Sequence, residues 1–296
     1  MIELDKIGKM YEGKKAVKDL SVKIMEGELC VLIGPSGCGK TTTLKMINRM
    51  IEPSAGNIYI DESNIKKMKV ERLRRSIGYV IQSIGLFPHM TVAENIATVP
   101  KLLKWEKSKI NERIEELLNL LNLEPKSYSN KYPKQLSGGE AQRVGIARAL
   151  AANPSILLMD EPFGAVDPIT RENLQYELVR IQTELKKSII FVTHDIDEAI
   201  RLADKIVIMK EGELVQYDTP ENILTKPKNK FVMEFIGTDR ALKRLSRIKV
   251  NDSIKKCLPY NLNTKVKEVI DILKKDKYVW VTDDDDKLLG WVDQND

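Results

Sequence analysis

Residues Leu29 to Met50 read LCVLIGPSGCGKTTTLKMINRM, and this stretch decides the fold. Five apolar, β-prone residues, Leu29 to Ile33, predict a buried strand, and Thr42 to Met50 predicts a helix. Between them Gly34, Pro35, Ser36, Gly37, Cys38, Gly39, Lys40 and Thr41 match the pattern G-x-x-x-x-G-K-[ST]. Glycines let the backbone curl until successive N–H groups point at phosphate oxygens, and the helix behind directs its partly positive N-terminus at the same anion. Lys40 is then expected to reach the outer phosphates of a bound nucleotide, with Thr42 beside it and the Thr41 hydroxyl on Mg²⁺. A glycine-rich turn can also join strand to helix with no ligand, but the complete pattern in this context favours the phosphate site.

Further along, Ile156 to Met159, Ile189 to Thr193 and Ile206 to Met209 are apolar runs with helical patterns between several of them, which predicts a mostly parallel α/β sheet. Ligands of such sheets collect at the C-terminal strand ends. There Ile156-Leu-Leu-Met runs into Asp160 and Glu161, a carboxylate for Mg²⁺ followed by one able to act as general base toward water. The first 25 residues alternate in short patterns (Ile2, Leu4, Val22, Ile24) that suit an antiparallel β edge. From about 84 to 153 strand signals vanish, and Ile110, Ile114, Leu117, Leu118 and Leu121 recur on one helix face, predicting a helical subdomain whose stripe packs on the parent domain.

At 296 residues, 42% hydrophobic and 31% charged, the chain has the composition of a globular protein with room for one large domain and a small appendage. Its 48 basic and 43 acidic residues nearly cancel, leaving +5, too little to argue for nucleic acid as a partner. No stretch approaches the ~18 apolar residues of a membrane helix, and the charged N-terminus does not read as a secretory signal. Three cysteines, Cys30, Cys38 and Cys257, lack metal-ligand spacing and are expected to be reduced thiols.

Leu136-Ser-Gly-Gly-Glu-Ala-Gln-Arg143 resembles the signature of ABC transporter ATP-binding subunits. That resemblance implies a P-loop NTPase ABC ATPase domain over residues 1–237, and a head-to-tail homodimer in which Ser137, Gly138 and Gly139 clasp the γ-phosphate of ATP bound to the partner. Where this chain has Glu140 the family usually has Gln, and the carboxylate is expected to point away or to pair with a base. Other motifs follow in family order. Gln82, after Ile77 to Ile81, matches the glutamine that approaches Mg²⁺ and the attacking water, and its loop senses the membrane partner. His194 matches the histidine that contacts the γ-phosphate, and Gly164 to Asp167 resembles the loop coupling the two sites, although Asp167-Pro168 also reads as a plain helix start. Tyr11 matches the aromatic residue that stacks on adenine. ATP and Mg²⁺ are the implied ligands, and transmembrane permease subunits and an extracellular substrate-binding protein are the implied partners, with this chain peripheral on the cytoplasmic face of the membrane.

Gly85-Leu-Phe-Pro-His-Met-Thr-Val-Ala-Glu-Asn-Ile and Asp167-Pro-Ile-Thr-Arg look like segments of importers for glycine betaine, carnitine and choline. After Gly237 a basic, polar linker (238–249) precedes a new apolar pattern at 250–296. This tail reads as a helix near Val266 to Lys274, a strand at Tyr278 to Thr282, a turn at Asp283 to Asp286 and a strand at Leu288 to Val292. It resembles one CBS motif, an α+β module that implies an adenine nucleotide or dinucleotide as a regulatory ligand. With one motif visible, either the tail is truncated or it pairs with its twin in the homodimer.

Overall fold

The computed structural model describes residues 1–82, 85–164, 166–237 and 243, and the backbone of three strands within 260–293. The chain divides into two compact units, Met1–Ser246 and Arg247–Asp296.

In the first unit the strands are β1 (Ile2–Tyr11), β2 (Lys14–Ile24), β3 (Leu29–Ile33), β4 (Ala55–Ile60), β5 (Ser63–Asn64), β6 (Ile77–Val80), β7 (Ile156–Asp160), β8 (Ser188–Val192), β9 (Lys205–Lys210) and β10 (Glu213–Asp218). The helices are α1 (Lys40–Ile47), α2 (Val70–Arg75), α3 (Val92–Leu102), α4 (Lys107–Leu120), α5 (Pro125–Tyr128), α6 (Gly138–Leu150), α7 (Pro168–Leu185), α8 (Ile196–Leu202), α9 (Pro220–Thr225) and α10 (Lys230–Ile236).

Six strands form the main sheet in the order β10-β9-β3-β8-β7-β6, parallel except for β10, which returns antiparallel on β9. Its strands are apolar on both faces because each face is covered. Cys30 and Leu32 of β3 join a core with α1 and the N-terminal strands, whereas Leu29, Val31 and Ile33 join a second core with the helices. The N-terminal strands do not edge this sheet. They build a separate four-stranded antiparallel sheet, β2-β1-β4-β5, whose alternation places Ile2, Leu4 and Ile7 against α1 and the main sheet.

Between β6 and β7 the described residues hold helices and no strand. The stripe Ile110, Ile114, Leu117, Leu118 and Leu121 is buried in the helical-side core, so its role is packing. A capping box starts α3, with the Thr91 hydroxyl accepting from the Glu94 amide and the Glu94 carboxylate accepting from the Thr91 amide. Among the described residues no helix is long and apolar enough to cross a membrane.

The second unit contains β11 (Tyr260–Asn261), β12 (Tyr278–Thr282) and β13 (Leu288–Asp293), with β11 parallel and β13 antiparallel to β12. The helix expected near Val266 to Lys274, the Asp283 to Asp286 turn, Cys257 and all of the 238–249 linker except Lys243 lie outside the described residues.

Candidate active site

The phosphate loop runs from the end of β3 to the start of α1. Gly34 adopts φ +150°, and a Cβ there would overlap the Met209 carbonyl oxygen and lie 2.8 Å from Cys38 Sγ, so only glycine lets the loop leave the sheet this way. Gly39 occupies the N-cap position of α1 and offers no side-chain cap, which leaves the helix start to an external acceptor. Ser36 to Thr42 line a cleft of about 340 Å³ with Ala16, Glu161 and His194. Lys40 is 6% exposed. Its ammonium donates to the Gly34 carbonyl at 2.7 Å and the Pro35 carbonyl at 3.2 Å, and lies 3.8 Å from Cys38 Sγ. Burial pushes the Cys38 thiol up, against the opposing pull of Lys40, so the residue is a poor thiolate.

Thr41 Oγ1 donates to Asp160 Oδ1 at 2.9 Å. A hydroxyl and a carboxylate joined beside a phosphate-shaped loop form an all-oxygen donor pair, the chemistry that suits Mg²⁺ shared with phosphates. Burial raises the Asp160 carboxyl, and the Thr41 hydrogen bond opposes that rise.

Glu161 follows on the same strand end but with φ +45°, a left-handed conformation costly for a residue with a side chain. Its amide donates to the Val192 carbonyl at 2.9 Å, holding the turn against β8. Gln82 Nε2 donates to Glu161 Oε2 at 3.0 Å, and His194 Nδ1 lies 3.4 Å from the same oxygen. The His194 ring is 68% exposed, facing the cleft mouth. Gly34 to Thr42, Gln82, Asp160, Glu161 and His194 are thus gathered at one end of the main sheet.

Tyr11 stands in an adjoining groove of about 980 Å³ that shares Gly37 and Thr42 with the cleft and also carries Lys14, Lys15 and Lys18. Those lysines belong to no motif of the sequence. Tyr11 is exposed, with Lys9 Nζ 5.2 Å from its ring centre.

Ser137, Gly138 and Gly139 line neither space. They open α6 through a capping box in which the Ser137 hydroxyl accepts from the Glu140 amide and Glu140 Oε2 accepts from the Ser137 amide at 2.7 Å. Glu140 therefore turns back onto its own helix start, and its second oxygen accepts from the Tyr128 hydroxyl at 2.5 Å rather than pairing with a base. The Tyr128 hydroxyl first, and the Ser137 amide next, hold this carboxyl below the usual range. Gly138 faces open space, whereas a Cβ on Gly139 would collide with Thr170 Cγ2 at the start of α7. Asp167 caps α7, accepting from the Thr170 amide at 3.0 Å, so the helix-start reading of Asp167-Pro168 holds, while Ala165 lies outside the described residues.

A parallel sheet with a glycine-rich anion loop, a paired Thr and Asp, and a glutamate held by glutamine and histidine define a P-loop nucleotide triphosphatase. The profile of ABC transporters matches residues 17–164. Two curated Bacillus subtilis proteins are similar over 99% of this chain and 78% of their own length: the choline transport ATP-binding protein OpuBA at 51% identity, and the glycine betaine/carnitine/choline transport ATP-binding protein OpuCA at 50%. A solved dimeric ATP-binding cassette, MJ0796 in a post-hydrolysis state bound to ADP and Pi, is 35% identical over 74% of this chain and 99% of that one, with a TM-score of 0.66. The chain belongs to the ABC transporter family as an ATP-binding subunit, an ATPase that uses ATP with Mg²⁺.

Proposed function

We propose that this chain powers the import of quaternary-amine compatible solutes of the choline, glycine betaine and carnitine type. The observation that carries the reading is identity of 50–51% across 99% of the chain to proteins named for transport of those solutes.

Chemically, each residue has a defined task. The loop amides and Lys40 hold the β- and γ-phosphates, and Thr41 and Asp160, with Gln82 beside them, would hold Mg²⁺, which would supply charge neutralisation at the phosphates. Glu161 accepts a proton from the attacking water as it moves onto the γ-phosphorus, and the leaving group is ADP. Gln82 and His194 both bear on Oε2 and so orient that carboxylate. Tyr11 offers its exposed ring to adenine. Ser137, Gly138 and the open N-terminus of α6 act on ATP held by a second copy, which makes the working unit a head-to-tail homodimer with two shared sites. The solved dimer of a 35% identical cassette supports the pairing of two copies.

Hydrolysis is felt by a separate membrane permease. A groove of about 370 Å³ lined by Gly78, Tyr79, Gly85, Phe87, Thr98 and Arg148 supports this reading, because its lining comes from both sides of Gln82 in the chain. Arg148 donates to the Gly85 carbonyl at 2.8 Å and lies over the Phe87 ring, giving a permease segment a firm wall next to the catalytic loop. The chain divides into the ATPase domain (1–237), a linker (238–249) and a CBS-like module (250–296) that binds an adenine nucleotide or dinucleotide. The β-pairing of β11, β12 and β13 supports a folded module.

The deciding experiment is co-purification with the permease, reconstitution in liposomes with the extracellular binding protein, and assay of ATP hydrolysis with candidate solutes. Stimulation by choline, glycine betaine or carnitine is expected. Stimulation by a solute of another class, with none by these three, would overturn the cargo.

A further inference from the structure

Directly behind His194 lies a polar contact that the scheme above does not use. Glu198, in the first turn of α8, is 6% exposed, and Gln175, in the third turn of α7, is 5% exposed. Gln175 Nε2 donates to Glu198 Oε1 at 2.9 Å. The Thr193 hydroxyl, itself 3% exposed, accepts the Asp195 amide at 3.0 Å, and Asp195 Oδ1 in turn accepts the Glu198 amide at 3.2 Å. Gln175 Oε1 accepts from Arg201 at 3.3 Å, so the amide is oriented from both ends. Burial raises the Glu198 carboxyl, against the opposing hydrogen bonds of Thr193 and Gln175.

A carboxyl taken out of water is costly unless its hydrogen bonds are made, and an apolar pair at this helix contact would carry no such cost. What the polar pair adds is direction. Thr193 is the peptide neighbour of His194, and α7 is the helix that starts at Asp167 and packs against Gly139. We propose that Glu198 and Gln175 are positioning residues for ATP hydrolysis, tying the first turn of α8 to α7 and with it the Thr193 to Asp195 turn, so that His194 meets Glu161 at the reacting centre. The pair also makes the placement of His194 answer to any shift of α7, a role that rests on the assignment of His194 made above.

The test uses the full chain and steady-state ATP hydrolysis, reading kcat and KM separately. Glu198→Leu is expected to lower kcat about 10- to 100-fold, the cost of misplacing a reacting group by about an ångström, with KM for ATP within about twofold. Glu198→Gln, which still accepts from Gln175, is expected to stay within about threefold of the parent in kcat. Should Glu198→Leu fail to fold, Gln175→Glu sets two carboxyls against each other and lowers kcat about tenfold, and adding Glu198→Gln restores the donor–acceptor pair and most of the rate.

His194→Ala is measured alongside. In that background the Glu198 and Gln175 changes are expected to cost less than about twofold more, because the group they position is gone. Undiminished kcat in Glu198→Leu, an equal loss with and without His194, or no restoration in the exchanged pair would each overturn the positioning role. Undiminished kcat in His194→Ala alone would instead overturn the assignment of His194.

Discussion

Gln82 Nε2 and Glu161 Oε2 are 3.0 Å apart although 79 residues separate them in the chain. The sheet order explains the meeting. β6, β7 and β8 are consecutive parallel neighbours, with Val80 opposite Met159 and Asp160 opposite Val192. Their C-terminal ends therefore deliver Gln82, Glu161 and His194 side by side, the position at which open α/β sheets collect ligands. The left-handed turn at Glu161 lifts its carboxylate out of the strand direction toward the cleft.

Replacing Glu161 by Gln keeps the size of the side chain and removes the carboxylate proposed as the base. Hydrolysis is expected to fall at least ~100-fold while ATP still binds. Single-turnover assays with parallel nucleotide-binding measurements check this, and a variant that turned over normally would remove Glu161 from the base role.

Lys40→Ala deletes the buried ammonium of the phosphate loop. Mg²⁺ and ATP at about 100 times Kd are expected to stabilise the parent protein by about 2.7 kcal/mol, and this gain should disappear in the variant. Thermal unfolding with and without nucleotide provides the measurement.

Chelating Mg²⁺ is expected to abolish hydrolysis. Asp160→Asn, which leaves Thr41 a neutral partner, should raise the Mg²⁺ concentration for half-maximal rate by about tenfold or more. A Mg²⁺ titration with unchanged midpoint would exclude Asp160 from the metal site.

Glu140 has a pH signature. Its folded carboxyl is held down by the Tyr128 hydroxyl and the Ser137 amide, so the ionised form favours the native state. That contribution is complete above the unfolded value of about 4.3 and is lost as pH falls through the lower folded value. Glu140→Gln is expected to melt about 1 to 3 °C below the parent at pH 7, and the gap should close in acid below about pH 4. Denaturant midpoints at pH 7, 5 and 3 report it, and a gap that widened in acid would contradict the hydrogen-bond assignment.

Removing residues 247–296 leaves Lys243 in place, with its ion pair to Asp197 at 3.1 Å. Hydrolysis at low salt is expected to remain close to that of the full chain, while its response to ionic strength and to adenine dinucleotides flattens. Unchanged responses would deny the tail a regulatory role.

Local chemistry was the legible part of this protein. The loop from Gly34 to Thr41 could be read because its function depends on backbone shape set by neighbours in sequence, and strands such as Ile156–Asp160 because burial writes itself into alternation or apolar runs. Glu140 was harder, since its partner Tyr128 lies 12 residues away across a turn that no periodicity specifies. The Glu198–Gln175 contact left no trace at all, because a polar residue on a helix reads as solvated until a second helix covers it. The first two strands looked like an edge of the main sheet for a similar reason. Alternation fixes which residues face inward, but not which sheet they join.

Lys40 rests on two backbone carbonyls of its own loop. Those acceptors and its 6% exposure fix the ammonium in place, so the charge it offers a phosphate does not sway with a long side chain. A fixed, partly desolvated cation favours anions, which makes the loop itself a filter for charge. Adenosine, with the same ring to offer Tyr11 but no phosphate, gains nothing from that cation.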